Sequence, residues 1–208
     1  MIRYSKTILL TLVFVLFTTW TTMGQDYKSI QQAFSESYTH EYAGEYTKAV
    51  ESLKKIYDAD SYEINLRLGW LMYLSGLFTE STTYYQKALT LKPLSIEARL
   101  GYAYPASALG NWAHVINLYE EILEIDPENS LTNYRLGSIY YGKTDYSRAI
   151  KYFEKVANHY PFDYDNLIMF AWTNFQLGKL REAKVLFNKA LMVKPDDESA
   201  LEGLKLIK

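Results

Sequence analysis

Four of the five prolines in this chain, Pro93, Pro127, Pro161 and Pro195, stand 34 residues apart. Pro105 lies outside that series. A strict period of this length marks a repeat architecture, in which one two-helix unit is stacked on copies of itself. Other residues keep the same phase. Gly76, Gly110 and Gly178 fall 17 residues before a proline of the series, and Gly69 and Gly137 fall 24 before. Tyr85, Tyr119, Phe153 and Phe187 fall eight before; Phe78, Trp112, Tyr146 and Leu180 fall 15 before. An earlier unit, two residues shorter, lacks the proline but keeps Gly44, Tyr46 and Ala49.

The pattern has a local physical reading. Glycine late in each unit's first helix accepts the left-handed backbone of a helix stop. Gly69, Ala103, Gly137 and Ala171 are small enough to let the two helices of a unit approach, and Ala88, Ala149, Ala183 and Ala190 do the same from the second helix. Large residues at 53, 85, 119, 153 and 187 fill the space between neighbours. The proline closes the second helix, and Ser95, Asn129 and Asp163 can cap the helix that follows. Asp60 with Glu63 fits a capping box.

These residues resemble the tetratricopeptide repeat, a helix–turn–helix unit of 34 residues with a W-x2-L-G-x2-Y…A-x3-F…P pattern. Leu68-Gly69 and Leu136-Gly137-x-x-Tyr140 carry its first half; Ala149-x-x-x-Phe153 and Ala183-x-x-x-Phe187 carry its second. The resemblance implies an all-α, right-handed α-solenoid of five repeats, at about 30–61, 62–95, 96–129, 130–163 and 164–197. A capping helix over 198–208 follows, with Ala200, Leu201, Leu204 and Ile207 on its apolar face and Gly203 weakening it slightly.

Several residues depart from the pattern. Thr144 stands where the turn glycine belongs, which predicts a strained or reshaped turn. Ile56, Val115 and Ile122 replace small residues, which predicts looser packing in the first and third units. Pro105 predicts a kink in the third unit's first helix, eased by Gly101 four residues earlier. The early tryptophan is missing throughout; Ala33, Asn65, Arg99, Asn133 and Leu167 stand there.

Residues 1–25 read as a secretory signal peptide: Arg3 and Lys6, then an uncharged run from Thr7 to Trp20, then small residues before a cut after Gly24. The run is shorter than the roughly 20 residues a membrane span needs, so an uncleaved anchor is the lesser alternative. The expected mature domain is 26–208, exported to a periplasm, a cell surface or the medium. Without cysteine, there is no disulfide, no thiol nucleophile and no cysteine-based zinc site. The net charge of -2 includes no basic block, which argues against nucleic acid as a partner.

No catalytic set emerges. His40, His114 and His159 occupy unrelated repeat positions, with no helical metal spacing, so no metal and no cofactor is expected. G-x-S-x-G, H-E-x-x-H and a phosphate loop are missing, and the reading is a non-enzyme.

The resemblance instead implies a concave surface lined by the first helix of each unit. On it fall the candidate partner-binding residues Tyr38, Tyr42, Trp70, Tyr73, Tyr104, Tyr134, Tyr141, Trp172 and Phe175. Tyrosine and tryptophan give large contact area at low entropy cost. The expected function is a non-catalytic scaffold that binds a partner protein or peptide of the cell envelope in this groove. The alternative is a glycan-binding module, with Asn65, Asn133 and Asn174 as amides beside flat rings. Glu41, Glu63, Glu97 and Asp165 on this surface, with Arg67 and Arg135 nearby, argue against an acidic peptide tail.

Overall fold

The computed structural model describes residues 27–207, and among them it contains helices and no strand. The helix α1 covers 27–42. Then follow α2 (Tyr46–Lys54), α3 (Tyr62–Leu74), α4 (Phe78–Leu91), α5 (Ile96–Ala108), α6 (Trp112–Ile125), α7 (Ser130–Gly142), α8 (Tyr146–His159), α9 (Tyr164–Gln176), α10 (Leu180–Val193) and α11 (Glu198–Leu206). This is the all-α solenoid class. Residues 1–25, read above as a signal peptide, lie outside the described residues.

Each helix starts and stops for a local reason. Ser95, Asn129 and Asp163 cap α5, α7 and α9 by accepting from the backbone N–H three residues on. The cap of α3 is Ser61, accepting from Ile64, rather than Asp60; the N3 place falls on Ile64, so the expected capping box with Glu63 does not form. Asp60 is instead held in a turn through its own N–H, which donates to Asp58 Oδ1 at 2.9 Å. At the stops, Gly44, Gly76, Gly110 and Gly178 have φ of 72° to 76°. Thr144 takes the same left-handed conformation at φ 61°. Its turn also keeps the hydrogen bonds of the glycine turns: Thr144 N–H donates to Tyr141 O at 2.8 Å and Asp145 N–H to Tyr140 O at 2.9 Å. The turn is strained, and its shape is retained.

By contacts the chain forms two compact units, one ending at Asn111 and one starting at Trp112. The boundary falls inside the third repeat, whose Val115 and Ile122 are fully buried despite their size. In the first unit Ala49, Leu53, Ile64, Leu68 and Leu71 form the core, with Ile56 packed against it. In the second, Leu167, Ala171, Ala183, Phe187, Ala190 and Ala200 do so.

Small residues work here through aromatic rings. A side chain built on Gly69 would meet the Tyr85 ring at 3.0 Å, and one on Gly137 would meet Phe153 at 2.7 Å. The far side of Tyr85 lies on Gly101, so one ring is held between glycines of α3 and α5. Gly101 is therefore a packing residue. The helix α5 is one continuous element with Pro105 buried inside it. Likewise Phe187 lies on Gly203 of α11. Gly203, expected to weaken the capping helix, is what lets it dock. Leu201, expected on the docking face, is exposed; Ala200 and Gly203 are buried there, with Leu204 and Ile207 packed against the core.

Candidate functional site

The α1, α3 and α5 helices, the first helices of three successive repeats, border a cleft of about 830 Å³ within the first unit. Its walls are apolar: Phe34, Leu66, Ile96 and Leu100, with Tyr85 at the base. Trp70 and Tyr104 complete the aromatic part. Their rings are 5.9 Å apart, and Tyr73 packs on both, at 5.6 Å from Trp70 and 5.5 Å from Tyr104. All three are half-buried. Such tilted and edge-on contacts fix the rings in place while leaving part of each face accessible.

The polar groups of the cleft are of two kinds. One set is committed. Arg67 is 8% exposed and ion-paired with Glu41. Its Nε donates to Ser37 Oγ at 3.1 Å, and its guanidinium lies 3.8 Å from the centre of the Tyr38 ring. Glu41 also accepts from Trp70 Nε1 at 2.6 Å. This network anchors the tryptophan and neutralises the buried cation. The other set is open. Glu63 and Glu97, one repeat apart at the starts of α3 and α5, are exposed, and among the described residues neither is ion-paired. Glu97 accepts a 3.3 Å hydrogen bond from Tyr62, whose hydroxyl also meets Ser95 Oγ at 2.7 Å. Burial pushes the Tyr85 phenol far up, and burial also raises Tyr62, so both are neutral at physiological pH.

The second unit carries its own aromatic face. Tyr134 meets Phe153 edge-on at 6.0 Å, and Tyr141 meets Tyr146 at 5.2 Å. Trp172 lies 5.1 Å from Phe187 and 5.5 Å from Phe175, and its Nε1 donates to Ser199 of α11 at 2.8 Å. Trp172 and Phe175 thus pack onto the core beneath the last helix.

Of the residues singled out in sequence, Tyr38, Trp70 and Tyr104 line the first unit's cleft, and Tyr73 supports them. Tyr42, at 88% exposure, stands in solvent and does not line it. Sequence reasoning missed Tyr62, Tyr85, Ile96 and Gly101 as lining residues. The 34-residue spacing of Tyr62 and Ile96 was the available signal.

The three asparagines do not sit beside the rings as amides for a ligand. All are buried. Asn65 Nδ2 donates to Ala59 O and Ser61 O at 2.9 and 2.7 Å; Asn133 Nδ2 donates to Pro127 O and Asn129 O at 3.1 and 2.9 Å. In the place of the family's tryptophan they tie the turn between repeats. Asn174 donates to Phe170 O within its own helix. His40 pairs with Glu45 and His159 with Glu128. Among the described residues no group of three or more His, Asp or Glu is placed to hold a metal ion, and no helix is long and apolar enough to cross a membrane.

Helix pairs that bury small residues under rings, with a cleft along their first helices, define an α-solenoid interaction module. Two sequence-family profiles, each described as Tetratricopeptide repeat, match residues 34–96 and 141–206. Together they cover more than half of the chain, and the chain belongs to the tetratricopeptide repeat family. It is 27% identical over 165 residues to the TPR repeat-containing protein YpiA of Bacillus subtilis (strain 168), a match covering 77% of this chain and 39% of that protein. The chain therefore spans well under half of that relative's length. Among solved structures, a tetratricopeptide repeat protein from Parabacteroides merdae ATCC 43184 superposes with a TM-score of 0.73 at 23% identity, over 86% of this chain and 72% of the other. The MamA protein superposes with a TM-score of 0.69 at 20% identity, over 80% and 92%. These likenesses are of fold. A family of this kind supports a protein-interaction scaffold.

Proposed function

We propose that this protein is a non-catalytic scaffold that holds a protein partner by a peptide segment in the cleft between α1, α3 and α5. The observation that carries the reading is the cleft itself: an apolar trough with Trp70 and Tyr104 in its wall, anchored from beneath by the Glu41–Arg67 network. A fixed aromatic wall loses little entropy on binding, which is how a small interface gains affinity. Tyr134 and Tyr141 form a second candidate contact surface in the second unit. Trp172 and Phe175 contribute there chiefly by holding the surface in shape. A carbohydrate ligand has less support, because its amide donors are committed to the backbone. The leader-like first 25 residues support a place of work outside the cytoplasm, in a periplasm or at a cell surface.

The test is capture from an envelope extract with the native chain and with Trp70→Ala, run beside a glycan array. The reading expects a protein retained by the native chain and lost by at least tenfold in a Trp70→Ala variant that still melts cooperatively. Glycan binding without protein capture, or capture indifferent to Trp70, overturns it.

A further inference from the structure

We infer that the occupant of the cleft is a cationic peptide segment, one that sets a lysine or arginine beside apolar residues. The inference rests on the cleft being the peptide site proposed above and adds the sign of its ligand. Its basis is the charge left over in the cleft. Among the described residues the one cation on its lining is Arg67, which is buried and neutralised by Glu41. Glu41 in turn is filled from two sides, by Arg67 and by the Trp70 N–H. What remains for a ligand is Glu63 and Glu97, both exposed on the cleft and, among the described residues, paired with no cation.

These two acids are not explained by their own helices alone. An acid in a first turn suits the helix dipole. Yet α6 and α7 have no acid in the first turn, so the fold does not demand it. Glu63 and Glu97 occupy the same position in consecutive repeats, so they set two negative points one repeat apart along the apolar trough. A ligand matching that surface places its aliphatic or aromatic side chains between Leu66, Leu100 and the rings. It extends a basic side chain, whose long stem is itself apolar, to the acids at the edge. An acidic segment would meet two uncompensated carboxylates and an arginine already taken. A neutral one would leave both acids partly desolvated without a partner.

The experiment is selection of a displayed random 12-residue peptide library on the full chain, with Trp70→Ala as the cleft control and Glu63→Lys/Glu97→Lys as the charge control. The expected result is a set of peptides rich in Lys or Arg flanked by apolar residues. Their affinity falls at least tenfold on Trp70→Ala, falls at least tenfold on Glu63→Gln/Glu97→Gln, and weakens with added salt. The charge-reversed variant should select Asp- and Glu-bearing peptides instead. If the selected peptides depend on Trp70 but carry no basic excess and ignore Glu63→Gln/Glu97→Gln, the charge inference falls and the cleft reading stands. If no selected peptide depends on Trp70, both fall. Circular dichroism and melting of each variant separate lost binding from lost folding.

Discussion

Thr144 is the residue most at odds with its place. It is β-branched, yet it holds φ of 61° at a helix stop where four other repeats use glycine. A left-handed conformation costs an L-residue about 1–2 kcal/mol, while glycine's extra unfolded-state freedom costs about 0.5–1 kcal/mol. The difference favours glycine. Thr144→Gly should stabilise the protein by about 0.5–1 kcal/mol, read as a melting temperature raised by about 1–4 °C. Because the turn's hydrogen bonds are already in place, the rise should come without change in helix content. Gly203 presents the opposite case. A methyl group there would overlap the Phe187 ring, which is fully buried and has nowhere to turn. Gly203→Ala should destabilise by about 1–3 kcal/mol in urea unfolding, the usual range for overpacking, although alanine is the better helix former.

At the scale of the element, Asp197 decides how firmly α11 is held. Its Oδ1 accepts from Ala200 N–H at 2.9 Å, capping the helix, and its Oδ2 accepts from Tyr164 of α9 at 2.6 Å. The Tyr164 hydroxyl, then the Ala200 N–H and Lys194, hold the carboxyl below the usual carboxylate range against the opposing effect of burial. A carboxyl whose folded pKa is lowered stabilises fully above its unfolded value of about 3.9, and that stability is lost as pH falls through the folded value. Asp197→Asn keeps the cap but not the charge. Its deficit in urea unfolding should be constant from pH 7 to about 5 and shrink below about 4. Much of this architecture was legible: the proline and glycine phase gives the helices, and the caps at Ser95, Asn129 and Asp163 follow from it. What was not legible depends on a neighbouring repeat. Tyr85 meets Gly101 and Phe187 meets Gly203, each 16 residues on, while at the same spacing Arg135 donates to the Tyr119 hydroxyl at 3.1 Å. One register thus serves two kinds of contact, and a single repeat read alone does not reveal which. Trp70 and Trp172 share a register too. Yet one N–H turns back to Glu41 and the other forward to Ser199, because the partner is set by the adjacent helix. The cleft's aromatic wall could be read from the ladder of first helices, whereas the commitment of Asn65 and Asn133 to backbone carbonyls could not. Their place in the tryptophan position hides a different task.

Over the whole molecule, stability in a stacked array is close to a sum of local terms, since each repeat contacts its neighbours and little else. The ring–glycine contacts have this character: Phe187 couples α10 to α11, and Tyr85 couples α4 to α3 and α5. Among the described residues the cleft is lined by α1, α3, α4 and α5. A lesion at Gly203 should therefore loosen one end of the chain and spare the candidate site. In amide hydrogen exchange, Gly203→Ala should speed exchange in α9, α10 and α11 and leave α3 and α4 unchanged. Peptides selected on the native chain should bind the variant within about twofold, because the additive picture gives the distant repeats no share in the perturbation. The reciprocal change, Gly101→Val, sets a branched carbon well inside contact distance of the Tyr85 ring between α3 and α5. It should speed exchange in α3, α4 and α5 and weaken peptide binding at least tenfold, while α10 and α11 keep their native protection. If both lesions instead accelerated exchange evenly along the chain, the protein would unfold as one cooperative block, and the local accounting of the site's stability would fail.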